Sequence, residues 1–279
     1  MNATRFQELS KIAVLEVFLL FLGNLLMISL FFTIIPAIVI QEKLPDSFLQ
    51  EHTEFSEQQK VIQGHMQELL KAPGNLQKEY FTIASEKKPG LLVWNNVFWV
   101  VSFLLPALWL YRKFKQPFNN LSDKFQFNFI FYGFLTGMVT IFAVSVLTQI
   151  FLAMGLEIKG DPFHQILFGK LQNNQKLLVW SIYSIGILTG IIEEVFFRGF
   201  LLTPFLVKKF PVEGLIFSSL LFGFVHGGSA LIPVILSVVG FIFGYSYLKT
   251  GNIWVPIIGH ITYNSSLLLT AYHFGDLYK

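Results

Sequence analysis

Six polar residues sit in stretches otherwise too apolar to hold them. Glu193, Glu194 and Arg198 share one stretch, His226 lies in a second, and His260 and Asn264 lie in a third. An ionisable side chain inside a membrane helix costs about 2.5–3.5 kcal/mol on insertion scales, so several of them in the last third of one chain require a reason. Arg198 follows Glu194 by four residues, which puts both on one helix face, a turn apart, where they neutralise each other. Glu193 points about 100° away and finds no partner on its own helix. His260 and Asn264 are also four residues apart. A carboxylate and a neutral imidazole sharing a water act as a general base, and water activated in this way attacks a peptide carbonyl. The oxyanion then needs preorganised donors, a role open to the ring of His260 and the amide of Asn264. A second chemistry uses the same groups: Glu193, His226 and His260 are a zinc-type ligand set. The hydrolytic HExxH spacing is absent, however, and the two histidines come from different helices. The plainer alternative is structural, with Glu193, Glu194 and Arg198 as a buried ion network and each histidine as a helix-to-helix hydrogen bond.

These residues must be positioned by membrane helices. The chain has 279 residues, of which 53% are hydrophobic, 13% are charged and 32 are Phe, whereas soluble domains carry about 25% charge. The sequence therefore predicts an all-α, polytopic membrane helix bundle. The net charge of +3 is small, and the basic residues flank apolar runs, a pattern of topology signals that points away from nucleic-acid binding. There is no Cys, which excludes disulfides, thiolate metal sites and a Cys nucleophile.

At about 20 apolar residues per crossing, the chain reads as about seven transmembrane helices: 12–40, 91–111, 129–156, 177–202, 212–226, 231–248 and 253–274. The first reads as an uncleaved span, and its Glu16 is expected near the interface. Segment 41–90 is polar, holds six Lys against eight acidic residues, and reads as an extramembrane helical insertion. Arg5 and Lys11, then Arg112, Lys113, Lys115 and Lys124, then Lys208 and Lys209, and finally Lys249 all fall on one side of seven alternating spans. That side is the cytoplasm by the positive-inside rule. Counted from it, Glu193, His260, Asn264 and His226 lie roughly 13, 10, 16 and 20 Å deep, close enough for one site. The pairs Gly186/Gly190, Gly223/Gly227 and Gly240/Gly244 have the spacing that lets helix backbones approach and predict a tight bundle of spans four to six. The expected organisation is an N-terminal membrane region, 1–176, with the insertion at 41–90, followed by a catalytic helix bundle at 177–279.

The ordered motifs resemble those of the type II CAAX prenyl endopeptidases and their bacterial CPBP (Abi) relatives. EExxxR is matched by Glu193, Glu194 and Arg198, FxxxH by Phe222 and His226, and HxxxN by His260 and Asn264. Thr250, Gly251, Asn252, Ile253 and Trp254 match a TGN-hydrophobic-W lead-in. The resemblance covers about 177–268. It implies an intramembrane endopeptidase of the glutamate type, with a metallopeptidase as the variant. In it Glu193 and His226 activate water, His260 and Asn264 hold the oxyanion, and Glu194 and Arg198 give support. No cofactor is implied, with zinc as the open alternative. The implied partners are membrane lipids and a peptide or lipidated-protein substrate, with no nucleic acid, and the implied place is the cell membrane. The competing classes are a non-catalytic membrane scaffold of the same fold and a transporter or proton relay. The latter would more naturally show inverted repeats, and none is seen.

Overall fold

The computed structural model describes residues 3–72, 74–102, 126–158, 162–226 and 231–275. The described residues form helices, turns and short links, with no strand among them. The bundle expected from the composition is what they build.

Helix α1, Ala3–Lys43, is followed by α2 (Phe48–Glu51), α3 (Phe55–Leu70) and α4 (Asn75–Glu86). The polar segment 41–90 is thus helical, as its composition suggests. It folds back on the far end of α1: Tyr80, Phe81 and Ile83 of α4 and Leu69 of α3 bury Ile35, Val39 and Ile40. Ion pairs frame this contact, Lys43 with Glu79 at 3.2 Å and Lys88 with Glu42. Helix α5 covers 92–102; the rest of the expected second span and the basic loop at 112–124 lie outside the described residues. Helices α6 (Phe127–Ala153) and α7 (Pro162–Leu171) follow.

The run 175–207, α8, is one continuous helix of mixed type. Gln175–Ser181, Thr189–Glu194 and Leu202–Val207 are α-helical, and Ile182–Leu188 and Val195–Leu201 are π-helical. The Asn174 side chain caps its start by accepting from Leu177 N–H at 3.0 Å. Lys209 adopts a left-handed φ of 61° just past its end, and Pro211 opens the next helix at a position that needs no donor. Helices α9 (Pro211–Val225), α10 (Leu231–Thr250) and α11 (Trp254–Phe274) complete the fold.

Among the described residues, three helices are long and apolar enough to cross a membrane: Gln7–Lys43, Phe127–Ala153 and Leu231–Thr250. Pro211–Val225 is apolar but shorter. Glycines set the packing. A Cβ on Gly244 of α10 would lie 2.6 Å from Leu215 Cδ1 of α9, and one on Gly240 would lie 3.1 Å from Phe222 Cβ, so the fifth and sixth spans pack tightly as expected. Gly227 lies outside the described residues. Gly186 and Gly190 correct the expectation for the fourth span, because they face Ser265 and Ile261 of α11. The close partner of α8 on its small-residue face is the last helix. Gly133 and Gly137 of α6, unremarked in the sequence, press against Ile258 and Thr262 on α11.

Glu16 is the clearest departure. It was expected near the interface, yet it is 0% exposed, and neither carboxylate oxygen has a hydrogen-bond partner among the described residues. It lies on the inward face of α1 between Ile12, which packs with Phe205 and Phe210, and Leu20, which packs with Phe197, Leu201 and Phe222. The end of α8 and the start of α9 reach far enough along α1 to enclose it.

Candidate active site

Glu193 and Glu194 fall between the two π-helical segments of α8. A π turn admits one extra residue and recurs at functional sites. Two carbonyls of the first such segment also accept from side chains on other helices: Ser184 O from Asn96 Nδ2 at 3.1 Å, and Ile185 O from Asn264 Nδ2 at 2.9 Å.

The structure brings Glu193, Glu194, Arg198, His226 and His260 into one cluster. Glu193 lacks a partner on α8 but finds two across the bundle. Its Oε2 lies 3.6 Å from His226 Nε2 and 3.9 Å from His260 Nε2. Glu194 Oε1 accepts from Arg198 Nη1 at 3.1 Å, and the same oxygen accepts from His260 Nδ1 at 2.8 Å. Arg198 Nη2 donates to Gly240 O at 2.6 Å and ties α8 to α10. Glu193, Glu194, Arg198 and His260 are all buried, whereas the His226 side chain is 26% exposed and forms the open edge of the cluster.

Hydrogen bonding settles the ring tautomers. Phe222 O can only accept, and it lies 2.6 Å from His226 Nδ1, so that nitrogen carries hydrogen. Glu194 faces a guanidinium and likewise accepts, so His260 Nδ1 carries hydrogen too. In the neutral rings both Nε2 atoms are then lone-pair acceptors turned toward the Glu193 carboxylate. Three acceptors face one another stably only around something electropositive: a hydrogen from a cationic ring or from water, or a cation. Aromatic rings wall the cluster. Phe222 lies 4.7 Å from the His226 ring, Phe243 stacks at 4.9 Å on His260, and Arg198 sits 5.1 Å above Phe222.

Asn264 stands one turn beyond His260 but spends one amide hydrogen on Ile185 O, which leaves a second for other use. The TGN-hydrophobic-W stretch proves to be a helix-to-helix joint. Gly251 takes a φ of 64° that ends α10, and Asn252 Oδ1 accepts from Trp254 N–H at 2.9 Å to start α11. That joint fixes the rotation of α11 and therefore of His260. Sequence reasoning missed Asn96, Ser184 and Thr189, which form a buried hydrogen-bonded group beside the glutamates. Uncharged hydroxyls and amides are common in membrane helices, so nothing marked them. Glu193, His226 and His260, the set considered for zinc, meet at the 3.6 and 3.9 Å separations given above, and among the described residues no group of three His, Cys, Asp or Glu is gathered closely enough to hold a metal ion.

An all-α membrane bundle with this buried glutamate–histidine cluster defines a class, and comparison with known proteins agrees with it. Residues 175–266 match the family model described as "Type II CAAX prenyl endopeptidase Rce1-like", so the resemblance read from the motifs is shown over that segment. The chain is 26% identical over 183 residues to "Uncharacterized protein YyaK" of Bacillus subtilis (strain 168), covering 60% of this chain and 57% of that protein. It is 34% identical over 85 residues to "Putative membrane peptidase YdiL" of the same organism, covering 30% of this chain and 34% of that one. The chain thus matches a little over half the length of the first relative and about a third of the second. No solved structure matches.

Proposed function

We propose that this chain is a multi-pass intramembrane endopeptidase of the cell membrane, with 177–279 as its catalytic bundle. The observation that carries this reading is the approach of Glu193 Oε2 to both Nε2 atoms, at 3.6 and 3.9 Å, each ring being fixed through its Nδ1. A water held among these three groups gives a proton to Glu193, and its oxygen bonds to the substrate carbonyl carbon. His226 shares that proton. In its cationic form His260 donates through Nε2, and with the second amide hydrogen of Asn264 it holds the oxyanion. When the C–N bond breaks, the proton taken from water passes to the leaving amine. The charge of Arg198 offsets that of Glu194, so the two carboxylates do not add up in the same apolar site. The family match supports a substrate that is a peptide near the membrane, lipidated or not. The water mechanism needs no metal.

Purified wild type and Glu193→Gln are to be offered farnesylated CAAX peptides and a mixed set of membrane-derived peptides, with and without chelator, and the products read by mass spectrometry. Cleavage by wild type alone, unaffected by chelator, is expected. Equal cleavage by both proteins removes Glu193 from the mechanism, and chelator sensitivity replaces the metal-free reading with the zinc one. A folded wild type that cleaves nothing turns the reading toward a scaffold of the same fold.

A further inference from the structure

We infer that Asn96, on α5 and outside the matched segment 175–266, is a positioning residue for the glutamate–histidine cluster. It does so by holding the first π-helical turn of α8 in register.

The side chain of Asn96 is 4% exposed and fully engaged. Its Nδ2 donates to Ser184 O at 3.1 Å and to Ser184 Oγ at 2.8 Å. Its Oδ1 accepts from Thr189 Oγ1 at 2.9 Å. Ser184 Oγ in turn donates to Leu92 O at 2.8 Å, back on α5. The result is a closed set of buried hydrogen bonds between two helices. Ser184 O also takes the π-type hydrogen bond from Thr189 N–H, so Asn96 grips the very carbonyl that defines the π turn.

The next carbonyl, Ile185 O, is held from the other side by Asn264. The two grips lead to opposite halves of the cluster. Thr189 is one turn before Glu193 on the same face of α8, and Asn264 is one turn after His260 on the same face of α11. The π turn is therefore the piece that sets how Glu193 meets the imidazoles. If it relaxes to an ordinary α turn, the residues after it rotate by about 100° and slide by about 1.5 Å. Glu193 Oε2 then leaves the two Nε2 atoms. A buried Asn often serves only to glue membrane helices together. Here its partners are the π-turn carbonyl and the hydroxyl one turn from Glu193, and that placement ties it to the geometry of the site.

The inference rests on the proposed peptidase reading for its kinetic test but not for its structural one. Asn96→Leu keeps the size of the side chain and removes its hydrogen bonds. Thr189→Val does the same for the hydroxyl and carries the test if the first variant does not fold. Two readouts are taken on the whole purified protein. In cleavage assays kcat is expected to fall about a hundredfold, as expected for an ångström-scale misplacement, with KM within about twofold of wild type. In hydrogen–deuterium exchange, protection is expected to drop in peptides covering 182–194 and to stay unchanged in α6, α9 and α10. Loss of protection throughout the bundle, or a wild-type exchange pattern in 182–194, overturns the inference. A wild type with no cleavage activity refutes the peptidase reading and leaves exchange to decide the role of Asn96. A variant with normal kcat and lowered thermal stability shows Asn96 to be helix glue only.

Discussion

Glu194 Oε1 accepts a hydrogen bond from His260 Nδ1 at 2.8 Å while also receiving Arg198 Nη1 at 3.1 Å. One oxygen thus joins the ion pair to the histidine that faces Glu193. The partner of one ring nitrogen decides what the other nitrogen can do, so Glu194 leaves Nε2 of His260 as the nitrogen turned toward Glu193. Glu194→Gln retains a carbonyl that can accept from Nδ1 but loses the charge that answers Arg198. This variant is expected to lower kcat about 10–100-fold, the usual effect of removing the group that orients a functional histidine. KM should change little. Steady-state cleavage of the best peptide substrate measures this, and an unchanged kcat would reduce Glu194 to packing.

Arg198 and Glu194 are both fully buried, so removing either one strands the other. Glu194→Ala and Arg198→Met are each expected to cost about 3–5 kcal/mol, whereas replacing both by apolar residues costs less than either alone. Thermal unfolding of the two single variants and the double in one detergent provides the comparison. Additive losses would mean that the pair is not energetically coupled.

What the sequence disclosed and what it hid follow one physical rule. Charged groups in apolar helices are expensive, so Glu193, Glu194, Arg198, His226 and His260 announced themselves, and helix spacing correctly paired Glu194 with Arg198. The bridge from Glu194 to His260 spans 66 residues and no local periodicity encodes it. The π turns were equally silent, because the extra residue changes no composition and the side chains that bond to their carbonyls are ordinary Asn and Thr. The glycine spacing on α8 was legible, but its partner was not: the pattern shows that a neighbour comes close, not that the neighbour is α11.

Glu16 shows how a local expectation fails. Its place near the start of α1 suggested the interface, but Phe205 and Phe210 pack on Ile12 and close over it. Among the described residues neither oxygen has a hydrogen-bond partner, so burying the carboxyl opposes the packing of α1 on α8 and α9. Glu16→Leu is expected to raise stability by about 1–3 kcal/mol, the cost of a buried polar group left unsatisfied. Because Glu16 lies outside the glutamate–histidine cluster, cleavage should continue at the wild-type rate. A fall in melting temperature would show that the carboxyl has a partner in the membrane-embedded protein.

Helix α6 is a test of how firmly α11 must be held. A Cβ added at Gly137 would lie 2.6 Å from Thr262 Cβ and 2.8 Å from Gly259 O. Thr262 sits midway between His260 and Asn264, so a shift there moves both. Overpacking of this kind costs about 1–3 kcal/mol, and Gly137→Ala is expected to lower both melting temperature and kcat. Gly64 on α3 is the control, since a Cβ there meets nothing within 4 Å. Gly64→Ala should raise stability by up to about 1 kcal/mol through helix propensity alone and leave kcat untouched. If Gly137→Ala lowers stability without touching kcat, α11 can be displaced by α6 and still present His260 correctly. The positioning of that residue would then come from Glu194 and the Gly251–Asn252 joint alone.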